Sequence, residues 1–285
     1  MKTVGIVYNA RIPEALDLST AIFDGLALDG GSWVSAAEDL ENLRQRMSAT
    51  DMVITVGGDG TILRAMRVTA PCGVPVVGIN MGRLGFMTEL SVQEALEKLP
   101  HYFEGSCRVE ERTMLQARLF RCSGDGPSIK EGPYHAVNDV VLARGAVSRV
   151  VTIRATVDGA DVTTFRSDAV ILSTATGSTG YNLSVGGPIL DPMSQCIVLK
   201  PVAAHIGLSA ALVLAPATKI ELALGGDQQA TLSLDGSLDY PMSPGDRVEL
   251  EQSPLRAKFL RANPPNHFYA TLTRRLGFGL SRRGQ

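Results

Sequence analysis

The chain has 285 residues, 45% of them hydrophobic and 20% charged, an ordinary globular mix that excludes extensive disorder. Its formal net charge of −2 excludes a basic field able to draw in nucleic acid or an anionic membrane, so an anionic ligand must be held by local donors. The four cysteines, Cys72, Cys107, Cys122 and Cys196, show no CxxC spacing, which argues against a zinc or dithiol site and for buried or inert thiols in a reducing compartment.

The first hundred residues alternate strand and helix. Val4–Tyr8 reads as a short apolar strand. It opens the sequence without the basic and apolar regions of a signal peptide, and the chain is expected to be cytoplasmic. Residues 13–28 carry apolar side chains near the helical period (Ala15, Leu18, Ile22, Leu26). A second strand is expected from Trp33 and a second helix over 40–47. Met52–Val56 is a β-branched strand ending on glycines, followed by a helix over 61–68. Another strand over 75–79 and a helix over 92–99 complete the pattern. This alternation predicts a doubly wound parallel α/β domain.

Beyond about residue 105 the runs become short and β-rich: 115–120, 137–142, 150–157, 169–173, 220–224, 231–234 and 248–250. Turn signals such as Asp158-Gly159 and Pro244-Gly245-Asp246 separate them. A C-terminal all-β, sandwich-like domain is expected. The polar stretch 123–132 reads as an exposed loop. The most apolar stretch, 202–217, is interrupted by His205 and ends near Pro216, too short and broken to span a bilayer. Residues 267–276 regain a helical pattern. The expected domains are 1–104 and 105–264, with 265–285 packing back on the first.

The sharpest motif is Gly57-Gly58-Asp59-Gly60-Thr61, directly after a strand. Open α/β sheets place ligands at the carboxyl ends of their strands. Glycines there remove the side chains that would keep a phosphate from the backbone N–H groups, and a helix N-terminus follows. The loop is neither a Walker A nor a GxGxxG fingerprint. Asp59 is the odd member, because a carboxylate repels phosphate unless it has a second task. Accepting a proton from an attacking hydroxyl and holding a metal would both fit, and Gly-Asp-Gly is also ordinary turn chemistry.

A second motif, Thr174-Ala175-Thr176-Gly177-Ser178-Thr179-Gly180-Tyr181-Asn182, follows another apolar strand. Its hydroxyls and glycines offer neutral partners to phosphate or ribose, and Tyr181 offers a ring on which a base can stack. Asn138-Asp139, beside Val140-Val141-Leu142, could read hydroxyls or an amide, or simply cap a strand. Asp168 precedes the strand into the second motif. Arg149 and Arg166 are candidate phosphate clamps, though arginines on a β surface are usually solvated. The four histidines have no metal-ligand spacing, and His205 reads as a hydrogen-bonded core residue.

Together these motifs resemble the NAD kinase family. The resemblance covers most of the chain, through Gly78-Ile79-Asn80-Met81-Gly82-Arg83-Leu84-Gly85-Phe86, Glu110-Glu111-Arg112 and Ser167-Asp168 to Pro188-Ile189-Leu190. The glycine loop alone is shared with lipid kinases and phosphofructokinases; its combination with Thr176-Gly177-Ser178-Thr179 and Gly186-Gly187-Pro188 is specific. The resemblance implies an α/β nucleotide domain joined to a β-rich NAD-binding domain with the active site between them. It implies transfer of a γ-phosphoryl group from ATP to the 2′-hydroxyl of NAD, with Asp59 as base and Mg²⁺ carried on ATP. Gly57, Gly58, Gly60 and Thr61 would hold phosphates. Asn138, Asp139, Asp168, Thr179, Gly180, Tyr181, Asn182, Leu183, Ser184 and Ala203 would hold NAD, with Arg149 and Arg166 at variable positions. Asp139 stands where Glu is common, one methylene shorter, and Gly180 stands where Ala is common. Polyphosphate in place of ATP stays open, as does NAD against NADH. A homodimer or homotetramer is implied. The rival readings are a lipid kinase, which would need an acyl tunnel, and a non-catalytic NAD(P) sensor, in which Asp59 would have no use.

Overall fold

Parallel strands of β-branched residues, each followed by a helix with one apolar face, build the first part of the chain. In the computed structural model, which describes residues 2–82, 85–122, 129–145, 150–205 and 207–276, these are β1 (Val4–Tyr8), α1 (Pro13–Gly25), β2 (Trp33–Ala36), a 3-10 turn (Leu40–Leu43), α2 (Arg44–Met47), β3 (Met52–Gly57), α3 (Asp59–Thr69), β4 (Val76–Asn80), β5 (Leu90–Ser91) and α4 (Val92–Phe103). The β-rich part follows as β6 (Arg108–Arg121), β7 (Ile129–Ala136), β8 (Asp139–Arg144), β9 (Val151–Val157), β10 (Ala160–Ser167), β11 (Ala169–Ser173), α5 (Tyr181–Ser184), β12 (Ile197–Val202), β13 (Leu212–Leu214), β14 (Ile220–Gly225), β15 (Ala230–Leu234), β16 (Leu238–Met242), β17 (Arg247–Arg261) and α6 (His267–Arg275). The chain divides into two compact units, one of Met1–Glu111 with Ala257–Gln285 and one of Arg112–Arg256.

In the α/β unit the strands run in the order β2-β1-β3-β4-β5, all parallel. Alternate residues face opposite ways along a strand. Val4, Ile6, Ile54, Val56, Val77 and Ile79 therefore meet Ala15 and Ile22 of α1 and Ala95 and Leu99 of α4 in one core. Helix α3 packs on the other face, where Ile62 lies against the backbone of Gly78. Because β1 has β2 on one side and β3 on the other, the order of growth reverses at β1. Such a reversal leaves a crevice at the carboxyl ends of the strands. Helix α4 starts on a capping box, in which Ser91 and Glu94 satisfy each other's free groups.

The β unit holds two antiparallel layers. One contains β10-β9-β14-β17 with β6 and β7, the other β13-β12-β11-β8-β15-β16. Every second residue points inward: Val140 and Leu142, Ile153 and Ala155, Val170 and Leu172, Leu222 and Leu224, Leu232 and Leu234 form one sandwich core. Strands β8 and β11 are buried on the other face too, where Val141, Ala169 and Ile171 pack with Val185.

Several sequence expectations need correction. Residues 129–132 belong to strand β7 rather than to an exposed loop, and 123–128 lie outside the described residues. Strands β10, β12 and β16 carry polar residues or proline that hide the strand period. In β16, Pro241 is tolerated because the strand is at a sheet edge and its missing N–H is not needed. His205 is exposed, not part of the core, in an irregular segment after β12. Cys72 and Cys122 are exposed, while Cys107 and Cys196 are half-buried. Helix α3 begins at Asp59, two residues earlier than expected. Among the described residues, no helix is long and apolar enough to cross a membrane.

Candidate active-site residues in the two units

The glycine loop sits at the topological reversal of the α/β unit. The N–H of Asn9, just past β1, donates to the carbonyl of Val56 at 3.0 Å, tying the carboxyl ends of β1 and β3 together. Gly57 packs against Thr61: a Cβ on it would lie 2.3 Å from the Thr61 hydroxyl, so glycine is needed to let the loop turn into the helix. Gly58 and Gly60 differ. A Cβ on either would meet nothing within 4 Å. Their bare backbone faces open space, and the chain's own packing does not require them to be glycine. Asp59 and Gly60 lie in the first turn of α3, where N–H groups have no carbonyl four residues back. Exposed N–H donors and the positive end of the helix dipole together suit phosphate oxygens.

Asp59 does not point along that donor row alone. Its carboxylate accepts three backbone N–H groups, from Phe86 at 2.8 Å, Met87 at 3.0 Å and Thr88 at 3.3 Å. Gly85 makes room for it, since a Cβ there would fall 2.2 Å from the carboxylate. A carboxylate has about four acceptor positions. Phe86 uses one on Oδ2, and Met87 and Thr88 use Oδ1. The remaining acceptor position is on Oδ2.

In the β unit, the segment 137–139 and the loop 174–184 are brought together. Thr174 hydrogen-bonds both carbonyls at the start of β8: its hydroxyl donates to Val137 at 2.6 Å and its N–H to Asn138 at 2.9 Å. Gly177 then passes so close that a Cβ would lie 2.1 Å from the Asn138 carbonyl oxygen. Inside the loop, Ser178 donates to Ala175 and accepts the Leu190 N–H, and the Asn182 amide donates to the carbonyls of Ser178 and Pro188. Thr179 and Ser184 bond back into the same turn. Three buried oxygens are left over: Asn138 Oδ1, Thr176 Oγ1 and Asn182 Oδ1 have no partner. Asn182 Oδ1 is packed against Gly187, where a Cβ would lie 1.9 Å from it, so it belongs to the loop's interior. Buried polar atoms are nearly always bonded, so the other two, Asn138 Oδ1 and Thr176 Oγ1, mark a place where a ligand supplies the donors. Beside them, Gly180 is half-buried and Tyr181 is 44% exposed. Leu183 is half-buried in α5.

Asp139 is 7% exposed. Burial, with the Asp235 carboxylate second, pushes its carboxyl up to about 7. Asp235 was not singled out in the sequence. Its carboxylate accepts the N–H groups of Val137, Asn138 and Asp139. The Asp235-Gly236 pair after a run of alternating residues is a recognisable hairpin signal that could have marked it.

The remaining candidates are not in this group. Asp168, Arg166 and Ala203 lie at the opposite end of β11, whose five residues span roughly 13 Å. Asp168 is paired with Arg144 at 2.9 Å, and its N–H donates to Val202. Arg166 is exposed, its carbonyl accepting the His205 N–H, and Ala203 follows β12 with a left-handed φ of 48°. Arg149 lies outside the described residues.

Residues 29–107 match the ATP-NAD kinase N-terminal domain and residues 137–262 the ATP-NAD kinase C-terminal domain. The chain is 37% identical to an NAD kinase of Dehalococcoides mccartyi over 278 residues, covering 96% of each. Its fold is similar to that of a yeast NADH kinase solved with NADH, with a TM-score of 0.86 at 23% identity, covering 100% of this chain and 90% of the other. It is also similar to an NAD kinase from Archaeoglobus fulgidus solved with ATP, with a TM-score of 0.76 at 25% identity, covering 97% and 100%. The chain belongs to the NAD kinase family of phosphotransferases.

Proposed function

We propose that Asp59 is the base in transfer of the γ-phosphoryl group of ATP to the 2′-hydroxyl of the adenosine ribose of NAD, giving NADP and ADP. The observation that carries this reading is a carboxylate fixed by three amides beside two glycines that face open space. The glycine amides suit the ATP phosphates. The 2′-oxygen attacks the γ-phosphorus, the bond to the bridging β,γ-oxygen breaks, and the hydroxyl proton passes to Asp59 Oδ2. Little else is required of the protein in such a reaction beyond position and charge stabilisation.

NAD is assigned to the β unit. Asn138, Asp139, Thr179, Gly180, Tyr181, Asn182, Leu183 and Ser184 form one group there, and its orphaned oxygens suit ribose hydroxyls and an amide N–H. Arg166, Asp168, Ala203 and Arg149 are assigned to NAD through the family resemblance alone. Mg²⁺ binds through substrate phosphates with one or two carboxylates and keeps several waters. A cation that arrives with ATP would be held mainly by the substrate phosphates and waters and would neutralise phosphate charge, leaving the open Oδ2 position of Asp59 to the hydroxyl proton. We assign the enzyme to a homodimer or homotetramer, on the same resemblance, and to the cytoplasm.

The test is Asp59→Asn, assayed with NAD, ATP and Mg²⁺ and read with an NADP-specific dehydrogenase. Turnover should drop by a factor of about 10² to 10⁴, the usual worth of a general base, with an unchanged far-ultraviolet spectrum. Near-wild-type NADP formation by this variant would remove Asp59 from the chemistry.

A further inference from the structure

We infer that Asp235 is a positioning residue for NAD, acting through Asn138 and Asp139; the inference rests on the assignment of NAD to those two residues. The segment Val137–Asp139 has six backbone polar groups, and two residues engage all of them. The Asp235 carboxylate accepts the three N–H groups, from Val137 at 2.9 Å, Asn138 at 2.7 Å and Asp139 at 3.2 Å. Thr174 donates to the carbonyls of Val137 and Asn138, and the Asp235 N–H donates to that of Asp139 at 3.0 Å. With every backbone group of the segment bonded at least once, its side chains are the groups most open to a ligand. Asn138 Oδ1 is buried and unpartnered. A group held that firmly, with an acceptor left open, is built for a ligand.

The turn by itself does not explain Asp235. It sits at φ 49° with Gly236 at φ 60°, and the Ser237 N–H returns to Leu234 at 3.1 Å. Asn or Gly would serve that backbone as well. The same chain contains a matched case. Asp158-Gly159 also has both residues at positive φ, 49° and 81°, but the Asp158 carboxylate accepts one backbone N–H, from Lys219, on an exposed turn. What Asp235 adds is an anion that gathers three consecutive amides. Hydrogen bonds to an ionised acceptor are about twice as strong as neutral ones.

Asp235→Asn keeps the turn but presents an NH₂ to one of the amides. Calorimetric titration with NAD and initial rates against NAD and ATP would be compared across wild type, Asp235→Asn, Asp158→Asn and Asn138→Ala. The expected result is a rise of about tenfold or more in Kd and KM for NAD in Asp235→Asn, with kcat and the KM for ATP within about twofold. Asp158→Asn should leave all of them unchanged. If Asp235→Asn does not fold, Asp235→Gly, which suits the positive φ, takes its place. The inference is overturned if the KM for NAD stays at the wild-type value, or if both KM values and kcat worsen together as in general damage. Should Asn138→Ala leave NAD affinity intact, the NAD assignment itself fails, whatever Asp235 does.

Discussion

The two loops use glycine for opposite ends. In the α/β unit, Gly58 and Gly60 face open space, and the backbone there offers N–H donors at a helix start. In the β unit, Gly177 is pressed against the Asn138 carbonyl, and what the loop and its neighbour Asn138 offer is acceptors: Thr176 Oγ1 and Asn138 Oδ1, buried and without partners. One loop is shaped by what it lacks outside, the other by what it must fit inside. A donor row suits an anion such as a polyphosphate chain. An acceptor cluster suits hydroxyls and amides. In each unit, one carboxylate gathers three consecutive backbone amides, Asp59 from 86–88 and Asp235 from 137–139. The difference is that Asp59 is itself a candidate reactant, whereas Asp235 would work through its neighbours.

Alanine at the two kinds of glycine should split folding from function. Gly177→Ala puts a methyl 2.1 Å from a backbone oxygen that cannot step aside without releasing Thr174. It should cost at least about 3 kcal/mol in urea unfolding, at the upper end for overpacking, and abolish NAD binding. Gly58→Ala should cost no more than about 1 kcal/mol, because φ −124° and ψ −169° are extended backbone open to any residue. Its KM for ATP should nevertheless rise by about tenfold, since the methyl would occupy the open space assigned above to the ATP phosphates. If Gly58→Ala leaves the ATP dependence untouched, the outward glycines are not the phosphate contact and the contrast between the loops fails.

The acceptor cluster also has a pH signature. The Asp139 carboxyl titrates near 7 in the folded chain and near its ordinary value of about 4 when unfolded. Between those limits the folded state holds a proton that the unfolded state has lost. Stability from this group is therefore full below about pH 4 and declines as pH rises to about 7, by a few kcal/mol at most. Asp139→Asn should flatten that decline in thermal melts taken from pH 4 to 8. An unchanged slope in the variant would mean that the buried carboxyl is not its source.

Much of this was readable beforehand, and the reasons are physical. The α/β half was legible because β-branched runs and the helical period of Ala15, Leu18 and Ile22 are strong local signals. Strands β10, β12 and β16 were not, because polar residues, Pro201 and Pro241 break the two-residue period, and only neighbouring strands fix them. At the site, glycines after a strand are visible in one dimension. The tie between Asp59 and residues 86–88 is not, since it joins positions about thirty apart and uses backbone amides that every residue has. Asp235 stayed hidden for the same reason: its partners lie nearly a hundred residues away, as the separation of 97 from Asn138 shows. His205 misled because an apolar neighbourhood in sequence is not burial in space.

Tyr181 gives the smallest effect on the fold and the cleanest reading of the acceptor loop. The residue is 44% exposed at the start of the short helix α5, so the chain gains less from it than from a core aromatic. An aromatic left in solvent beside unpartnered buried oxygens is a platform for a flat ring. Stacking of a base on such a side chain is worth roughly 1–3 kcal/mol, about five- to 150-fold in affinity. Tyr181→Ala should lower the melting temperature by a few degrees at most and weaken NAD binding by that factor, while Tyr181→Phe keeps it. The KM for ATP should not move in either variant. Equal losses for ATP and NAD in Tyr181→Ala would mean that the donor and acceptor loops do not separate the two substrates as their chemistry suggests.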